Sequence, residues 1–124
     1  MSSILIIDDD DQIRSLVREA FQDAGHSVTE ARDGLEGIEQ YRQSPADLII
    51  LDILMPEKEG LETILDLRRE FPSVKILAIS GGSERTHVNL LELAKRLGAR
   101  HAINKPFEIQ ALLNLAQKAI DEEP

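Results

Sequence analysis

The sequence contains no cysteine, few aromatic residues and no long apolar run. Without cysteine, the chain has neither disulfides nor thiolate metal ligands. Aromatic residues make up 3% and Trp is absent, which disfavours a stacking platform for nucleic-acid bases or a flavin ring. No stretch approaches the roughly 20 apolar residues of a membrane span, and the N-terminus lacks the basic region of a signal peptide. We therefore expect a soluble, cytoplasmic protein without a membrane partner.

Basic residues are scarce relative to acidic ones. The chain has 14 Lys and Arg against 23 Asp and Glu, which gives a net charge of −9. A nucleic-acid binder needs a basic face to replace counterions, so direct nucleic-acid binding is not expected. The 124 residues, of which 42% are hydrophobic, suit one domain over residues 1–124. We expect no effector domain beside it.

Short apolar or alternating runs, which predict strands, are separated by segments with helical periodicity. The runs are Ile4–Ile7, Ser27–Ala31, Leu48–Leu51, Val74–Ile79 and His101–Asn104. Gly25 and Gly98 are placed to end the first and fourth helices. This alternation predicts (βα)5, an α/β fold in which helices cover both faces of a parallel sheet. In such sheets, function lies outside the carboxyl ends of the strands.

Charged and polar residues follow these runs at the predicted carboxyl edge. Asp8 to Asp11 follow the first run, Asp52 the third, Ser80 the fourth and Lys105 the fifth. Clustered carboxylates repel one another unless a proton or a cation relieves them, and hard oxygen ligands suit Mg²⁺. A carboxylate beside a metal and a lysine can become an aspartyl-phosphate. Asp52 is the natural nucleophile, and Ser80 could donate a hydrogen bond to a phosphoryl oxygen.

Each of these residues also has an ordinary structural interpretation. Asp10 and Asp11 could equally cap the first helix, because acidic residues favour a helix N-terminus. Asp52 alone could be a turn residue, and Lys105 alone could be a surface lysine. Convergence of all of them on one edge of one sheet favours a functional site.

Four stretches together resemble the receiver domain of two-component response regulators over essentially the whole chain: ILIIDDDDQIR, DLIILDILMPEKEG, ILAISGG and INKPF. The resemblance implies a doubly wound, five-stranded parallel sheet of the CheY-like, flavodoxin-like type with strand order 2-1-3-4-5. It implies that Asp52 is the phospho-acceptor. It also implies a magnesium site formed by Asp8, Asp9, Asp52 and the backbone carbonyl of Leu54, with Asp9 the more direct ligand of the acidic pair.

The resemblance also assigns roles at the ends of the fourth and fifth strands. Ser80 corresponds to the switch hydroxyl, and Lys105 corresponds to the phosphate-contacting lysine, followed by Pro106 in a cis bond. Met55-Pro56 and Gly60 match the turn after the acceptor strand.

By the same resemblance, a histidine kinase or a histidine phosphotransfer protein donates the phosphoryl group. The output is then contact with a downstream protein or onward relay of the phosphate, by a monomer or weak dimer. The protein would not be an enzyme with a separate substrate, since it would assist only its own phosphorylation and dephosphorylation. We expect Arg14 and Arg18 to lie on the outer side of the first helix, facing the donor, with Ile13, Leu16, Val17, Ala20 and Phe21 buried.

The sequence departs from the family pattern at the position that usually carries an aromatic switch residue, which is Ala102 here. We therefore expect the segment that starts at Gly81-Gly82 to carry the switch, with Val88 and Leu91 forming an outer contact face. The resemblance also places positions 54 and 82 where a water molecule would approach the phosphate. Leu54 and Gly82 lack groups that could orient this water, which predicts slow hydrolysis of the phosphate.

Three alternative functions are open to the same residues. Asp8, Asp10, Ser80 and Lys105 mimic a haloacid-dehalogenase-type phosphatase, but Asp11 occupies its fourth motif position and a late acidic pair is missing. A flavodoxin-like electron carrier would need a Ser- and Thr-rich phosphate loop after the first strand. A receiver-like scaffold that is never phosphorylated would not need the complete set of acidic residues, Ser80 and Lys105.

Overall fold

Five strands alternate with five helices in the computed structural model, which describes residues 2–53, 59–80 and 90–123. The strands are β1 (Ser3–Ile7), β2 (Ser27–Ala31), β3 (Leu48–Asp52), β4 (Ile76–Ser80) and β5 (His101–Asn104). The helices are α1 (Asp11–Asp23), α2 (Gly34–Gln43), α3 (Glu59–Glu70), α4 (Leu90–Leu97) and α5 (Ile109–Asp121). The predicted (βα)5 order is confirmed.

The strands form one parallel sheet in the order β2-β1-β3-β4-β5, which confirms the expected order 2-1-3-4-5. Strands β1, β3 and β4 lie in the middle, and their apolar runs are buried. The edge strand β2 alternates between exposed and less exposed positions instead. This difference follows from burial, because a central strand is covered on both faces while an edge strand is partly open to water.

Side chains of the sheet divide between two hydrophobic cores, one on each face. On one face, Leu5 and Ile7 belong to a core that includes residues of α2, α3 and α4. On the other face, Ile4 and Ile6 pack in a core with Val17 and Phe21 of α1 and with residues of α5. Helices therefore cover both faces, as the alternating sequence predicts.

The helix ends follow the local sequence. Gly25, which follows the C-cap Ala24 of α1, and Gly98, which follows α4, have positive φ angles of 96° and 136°, where the backbone must leave the helix. Strand β4 begins at Ile76 rather than at the predicted Val74, because the Val74 N–H donates to the Phe71 carbonyl in a turn. The cis bond expected between Lys105 and Pro106 is present.

Several sequence predictions fall on positions outside the described part of the chain. They concern the Leu54 carbonyl, Met55-Pro56, Gly81-Gly82, Val88 and the side chain of Leu91. Within the described ranges, no helix has the length and apolar character needed to cross a membrane.

Candidate functional site

The four consecutive aspartates after β1 divide into two pairs with different surroundings. Asp10 caps α1, because its carboxylate accepts hydrogen bonds from the backbone N–H groups of Gln12 and Ile13. Asp11 lies in the first helical turn, where an acidic side chain is favourable. Asp8 is 2% exposed, and one of its carboxylate oxygens accepts the Asp10 N–H at 2.9 Å. The capping interpretation therefore holds for Asp10 and Asp11. Asp8 and Asp9 remain as candidate functional residues at the carboxyl edge of the sheet.

A cluster of three carboxylates stands at the carboxyl edge of the central strands. Asp8, Asp9 and Asp52 each offer a carboxylate oxygen, and these oxygens lie within 4.8 Å of one another. Asp52 is 4% exposed at the end of β3, whereas Asp9 is exposed. The parallel register of β1 beside β3 brings the ends of the two strands together.

Lys105 extends from the end of β5 into this cluster. Its Nζ donates to a carboxylate oxygen of Asp52 at 3.1 Å and lies 3.9 Å from one of Asp8. Lys105 and Asp52 are 53 positions apart in sequence, so their contact exists only because β3, β4 and β5 are neighbours in the sheet. A compact ammonium here offsets part of the acidic charge.

Ser80 ends β4 and is buried between the other strand ends. Its backbone carbonyl accepts the Lys105 N–H at 2.7 Å, which ties the end of β5 to the end of β4. Asp52 faces Ile79, the residue before Ser80, in the β3–β4 register. The structure thus places Asp8, Asp9, Asp52, Ser80 and Lys105 at one edge, as the sequence predicts.

Burial makes the charge of this cluster costly. Burial, together with the negative charges of Asp52 and Asp9, raises the pKa of Asp8 to about 6. The hydrogen bond from the Asp10 N–H and the charge of Lys105 act in the opposite direction. The sign of the net shift indicates a site that would gain from a further cation. Carboxylate oxygens are the ligands that Mg²⁺ prefers, so the donor set fits that ion.

The structure corrects the expectation that Arg14 lies on the outer side of α1. Its side chain is only 12% exposed, and its guanidinium contacts the acidic turn and β2. Leu16, expected to be buried, is 53% exposed instead. The cause is geometric: the long Arg14 side chain reaches back over the helix start, whereas Leu16 lies where α1 faces the beginning of α5.

Leu16 belongs to a shallow apolar groove beside the carboxylate cluster. The groove has a volume of about 390 Å³ and is lined by Ile13, Leu16, Lys105, Pro106, Phe107 and Ile109. Lys105 therefore belongs to both the groove and the cluster, which makes the two features continuous. Helical periodicity alone could not reveal this groove, because it depends on how α1 and α5 pack together.

Ala102 occupies the middle of β5, beside Ala78 of β4. Its small side chain packs partly buried against the core that includes residues of α2, α3 and α4. The departure from an aromatic residue at this position therefore leaves a partly buried methyl group in the sheet.

Comparison with known proteins gives one consistent family. Residues 4–117 match the family model of the response regulator receiver domain. The chain is 32% identical over 120 residues to the chemotaxis protein CheY of Listeria monocytogenes, covering 96% of this chain and 98% of that protein. It is 35% identical over 113 residues to the transcriptional regulatory protein CpxR of Escherichia coli, covering 91% of this chain and 47% of CpxR.

Solved structures agree with these relatives. The chemotaxis protein CheY4 of Vibrio cholerae superposes with a TM-score of 0.85 at 30% identity, covering 96% of this chain and 98% of that one. The receiver domain of NtrX from Brucella abortus gives a TM-score of 0.87 at 29% identity, with 97% and 99% covered. The similarity thus extends over nearly the whole chain in both sequence and fold.

Proposed function

The chain belongs to the receiver domain family of two-component response regulators, and from that premise we propose that Asp52 is its phospho-acceptor, in a reaction that depends on Mg²⁺. The observation that carries the proposal is the position of Asp52. It lies buried at the end of β3, with Lys105 at 3.1 Å and the carboxylates of Asp8 and Asp9 beside it. Phosphorylation on aspartate is general in this family.

We propose that Asp8, Asp9 and Asp52 hold the ion, together with the backbone carbonyl of Leu54 that the family resemblance implies. The three described carboxylate oxygens lie within 4.8 Å of one another, and the raised pKa of Asp8 reflects its burial and the negative charges beside it. A bound Mg²⁺ would supply charge neutralisation for phosphoryl oxygens.

In the proposed reaction, a carboxylate oxygen of Asp52 forms a bond to phosphorus as the bond from phosphorus to the donor breaks. Phosphoryl transfer needs positioning and charge neutralisation more than covalent chemistry from the protein. Lys105 is already within hydrogen-bond distance of Asp52 and can turn to a phosphoryl oxygen once the group arrives. Ser80, at the neighbouring strand end, is the proposed hydrogen-bond donor to the same group.

We further propose that a histidine kinase or a histidine phosphotransfer protein is the donor and that it docks on the groove between α1 and α5. The groove is apolar, includes the half-exposed Leu16 and reaches Lys105. A donor seated there would present its phosphohistidine to the carboxylate cluster. Because Arg14 does not lie on the outer side of α1, Leu16 and its neighbours replace Arg14 as the proposed docking contact.

The proposed output is contact with a downstream protein or onward relay of the phosphate. Coverage of 98% of the Listeria CheY supports comparison with single-domain regulators. On this proposal the chain modifies only itself, so it should not hydrolyse a small phosphate ester continuously. Continuous release of phosphate from such an ester would instead favour the phosphatase alternative.

Labelling with acetyl phosphate and Mg²⁺ tests the acceptor directly. We expect intact-mass analysis to show one added phosphoryl group on the wild type and none on Asp52→Ala. Asp66→Ala, which removes an exposed aspartate from α3, is the matched control and should be labelled like the wild type. Undiminished labelling of Asp52→Ala would refute the assignment of the acceptor.

A further inference from the structure

Arg14 joins three parts of the molecule through one guanidinium group. Its Nη1 donates to the backbone carbonyl of Asp8 at 2.7 Å. Its Nε donates to a carboxylate oxygen of Glu30 at 3.0 Å, and its Nη2 donates to Asp11 at 2.5 Å. The group therefore connects the end of β1, the start of α1 and the edge strand β2.

The contact with the Asp8 carbonyl fixes backbone rather than side chain. Asp8 and Asp9 are consecutive, so the peptide group that contains this carbonyl links two of the three residues whose carboxylates form the cluster. On its other side, Asp8 is held by its own N–H, which donates to the Ala31 carbonyl of β2 at 3.1 Å. The backbone of Asp8 is thus tied to β2 on both sides, directly through its N–H and, through its carbonyl, by way of Arg14 and Glu30.

Glu30 is itself anchored well enough to serve as a support. Its second carboxylate oxygen accepts from Arg18 at 2.7 Å, one helical turn after Arg14. Its backbone carbonyl accepts from the side-chain amide of Gln40 in α2 at 2.6 Å. In β2 it pairs with Ile6 of β1. Glu30 is therefore held in place by β1, α1 and α2, and it can fix the position of the Arg14 guanidinium.

We propose that Arg14 is a positioning residue for the magnesium site: anchored by Glu30, it clamps the Asp8–Asp9 peptide so that both carboxylates face Asp52. The inference rests on the proposed metal site and deepens it. Groups that orient metal ligands from outside the coordination sphere typically change metal affinity 10- to 100-fold when they are lost. Arg14 acts through the peptide, so we expect a loss of about tenfold, the lower end of that range.

The positive charge of Arg14 and its positioning role should have opposite effects on Mg²⁺ affinity, so a binding measurement can distinguish them. A cation near the cluster repels Mg²⁺, so removing it for electrostatic reasons alone would tighten metal binding. Loss of positioning would weaken it. Arg14→Met and Arg14→Lys separate the two contributions, since lysine keeps the charge but replaces the planar fork with a single ammonium.

The experiment measures the melting temperature by circular dichroism over a series of MgCl₂ concentrations at constant ionic strength. The dependence of stability on concentration gives the apparent Kd, because a ligand that binds only the folded state stabilises it. We expect both Arg14 variants to bind Mg²⁺ about tenfold more weakly than the wild type. Arg96→Met removes the same charge from α4, where Arg96 pairs with Glu92 on the opposite face of the sheet from α1, and it should bind Mg²⁺ like the wild type.

Each result has a distinct meaning. Unchanged or tighter Mg²⁺ binding by Arg14→Met would overturn the positioning role while leaving the metal site intact. A wild type that gains no stability from Mg²⁺ would overturn the metal site and the positioning role with it. If neither Arg14 variant folds, Glu30→Gln decides: it keeps Arg14 but removes its ionic anchor, and wild-type Mg²⁺ affinity in that variant would refute the clamp.

Discussion

At the scale of single residues, four identical side chains in a row have different surroundings because each sits at a different distance from the end of β1. Asp8 directly follows β1 and is buried like the strand itself. Asp10 is the N-cap of α1, where the first helical N–H groups need a hydrogen-bond acceptor. Asp9, between them, is exposed but shares the carboxylate cluster. The backbone path from strand to helix therefore separates metal-ligand candidates from capping groups.

The buried Asp8 gives a prediction about stability without metal. Its pKa is raised to about 6 in the folded protein, from an ordinary value of 3.8. Between these values the folded state binds more protons than the unfolded state, so stability falls as pH rises through this window, and the full penalty is present above it. We expect Asp8→Asn, with EDTA present, to raise the free energy of unfolding at about pH 7.5 by on the order of 1–3 kcal/mol.

Urea denaturation monitored by circular dichroism measures this gain. It should shrink as the pH is lowered towards about 4, because Asp8 is then neutral in the wild type as well. Asp23→Asn, at the exposed end of α1, should change stability by less than about 0.5 kcal/mol. A gain in Asp8→Asn that is the same at both pH values would mean that repulsion and burial of charge are not its cause.

Residues whose role depends on the strand ends could be predicted, and residues whose role depends on side-chain reach could not. Asp52, Ser80 and Lys105 follow apolar runs, and a parallel sheet has to bring such positions to one edge. Arg14 was placed on the wrong side because helical periodicity gives the direction of Cα–Cβ but not the path of a long side chain. In the sequence, an acidic residue at position 30, on the same face of β2 as Val28, was the available indication that Arg14 has an ionic partner there.

At the scale of elements, apolar runs predicted the strands to within one or two residues, but packing between helices decided what stayed exposed. Strand β2 and strand β5 have the predicted bounds, Ser27–Ala31 and His101–Asn104. The groove between α1 and α5 was not predicted, since nothing in either helix alone specifies the distance between their N-terminal ends. In such a fold, sequence patterns predict least well which side chains stay exposed where two neighbouring helices meet.

The exposed Leu16 gives a prediction for this groove. If the phosphodonor docks there, Leu16→Ala should slow transfer from a cognate phosphohistidine donor by roughly tenfold, the effect of losing about 1.4 kcal/mol at an apolar contact. Labelling by acetyl phosphate needs no docked protein and should be unchanged. Radiolabel transfer at donor concentrations below saturation measures the first rate.

The matched control for the groove is Leu35→Ala in α2. Leu35 is 81% exposed, more than Leu16, but lies on a different part of the surface. Its substitution should leave both rates at wild-type values. Equal slowing by the two variants would count against a specific role for the groove.

Gly60, in the first turn of α3, gives a prediction about how that helix approaches β3. A Cβ atom on Gly60 would stand 2.4 Å from the Ile53 Cα and 2.9 Å from the Asp52 carbonyl oxygen. These are backbone atoms, so they cannot yield by changing a rotamer. We expect Gly60→Ala to destabilise the protein by about 1–3 kcal/mol, the usual cost of overpacking, and to lower acetyl-phosphate labelling of Asp52.

Gly25→Ala is the comparison for this substitution. It places alanine at a positive φ of 96°, where the expected cost is about 1 kcal/mol from backbone strain, far from the site. It should therefore lower stability without changing the labelling rate at a temperature where both variants are folded. If Gly60→Ala also leaves labelling unchanged, the close approach of α3 serves stability alone.

At the scale of the whole molecule, the topology holds the end of α5 at the amino edge of the sheet and gathers the carboxylate cluster at the carboxyl edge. Near the start of β4, Lys75 donates to the carbonyls of Ile120 and Glu122, and Arg100 donates to that of Glu123. The end of α5 is held there, while Asp8, Asp9 and Asp52 stand at the opposite edge with Lys105. The strand order could be expected from the family resemblance, but the contacts that hold the end of α5 required the structure.

The net charge of −9 complicates any measurement of Mg²⁺ binding, because added salt of any kind relieves repulsion within an acidic protein. Specific binding must therefore be separated from screening. We expect MgCl₂ to raise the melting temperature of the wild type more than NaCl does at the same ionic strength. Asp9→Asn should lose most of that difference, because it removes one of three carboxylates from the cluster. Asp23→Asn changes the net charge by the same amount and should keep the full difference. Loss of the difference in both variants would mean that overall charge, and not the carboxylate cluster, determines the response to magnesium.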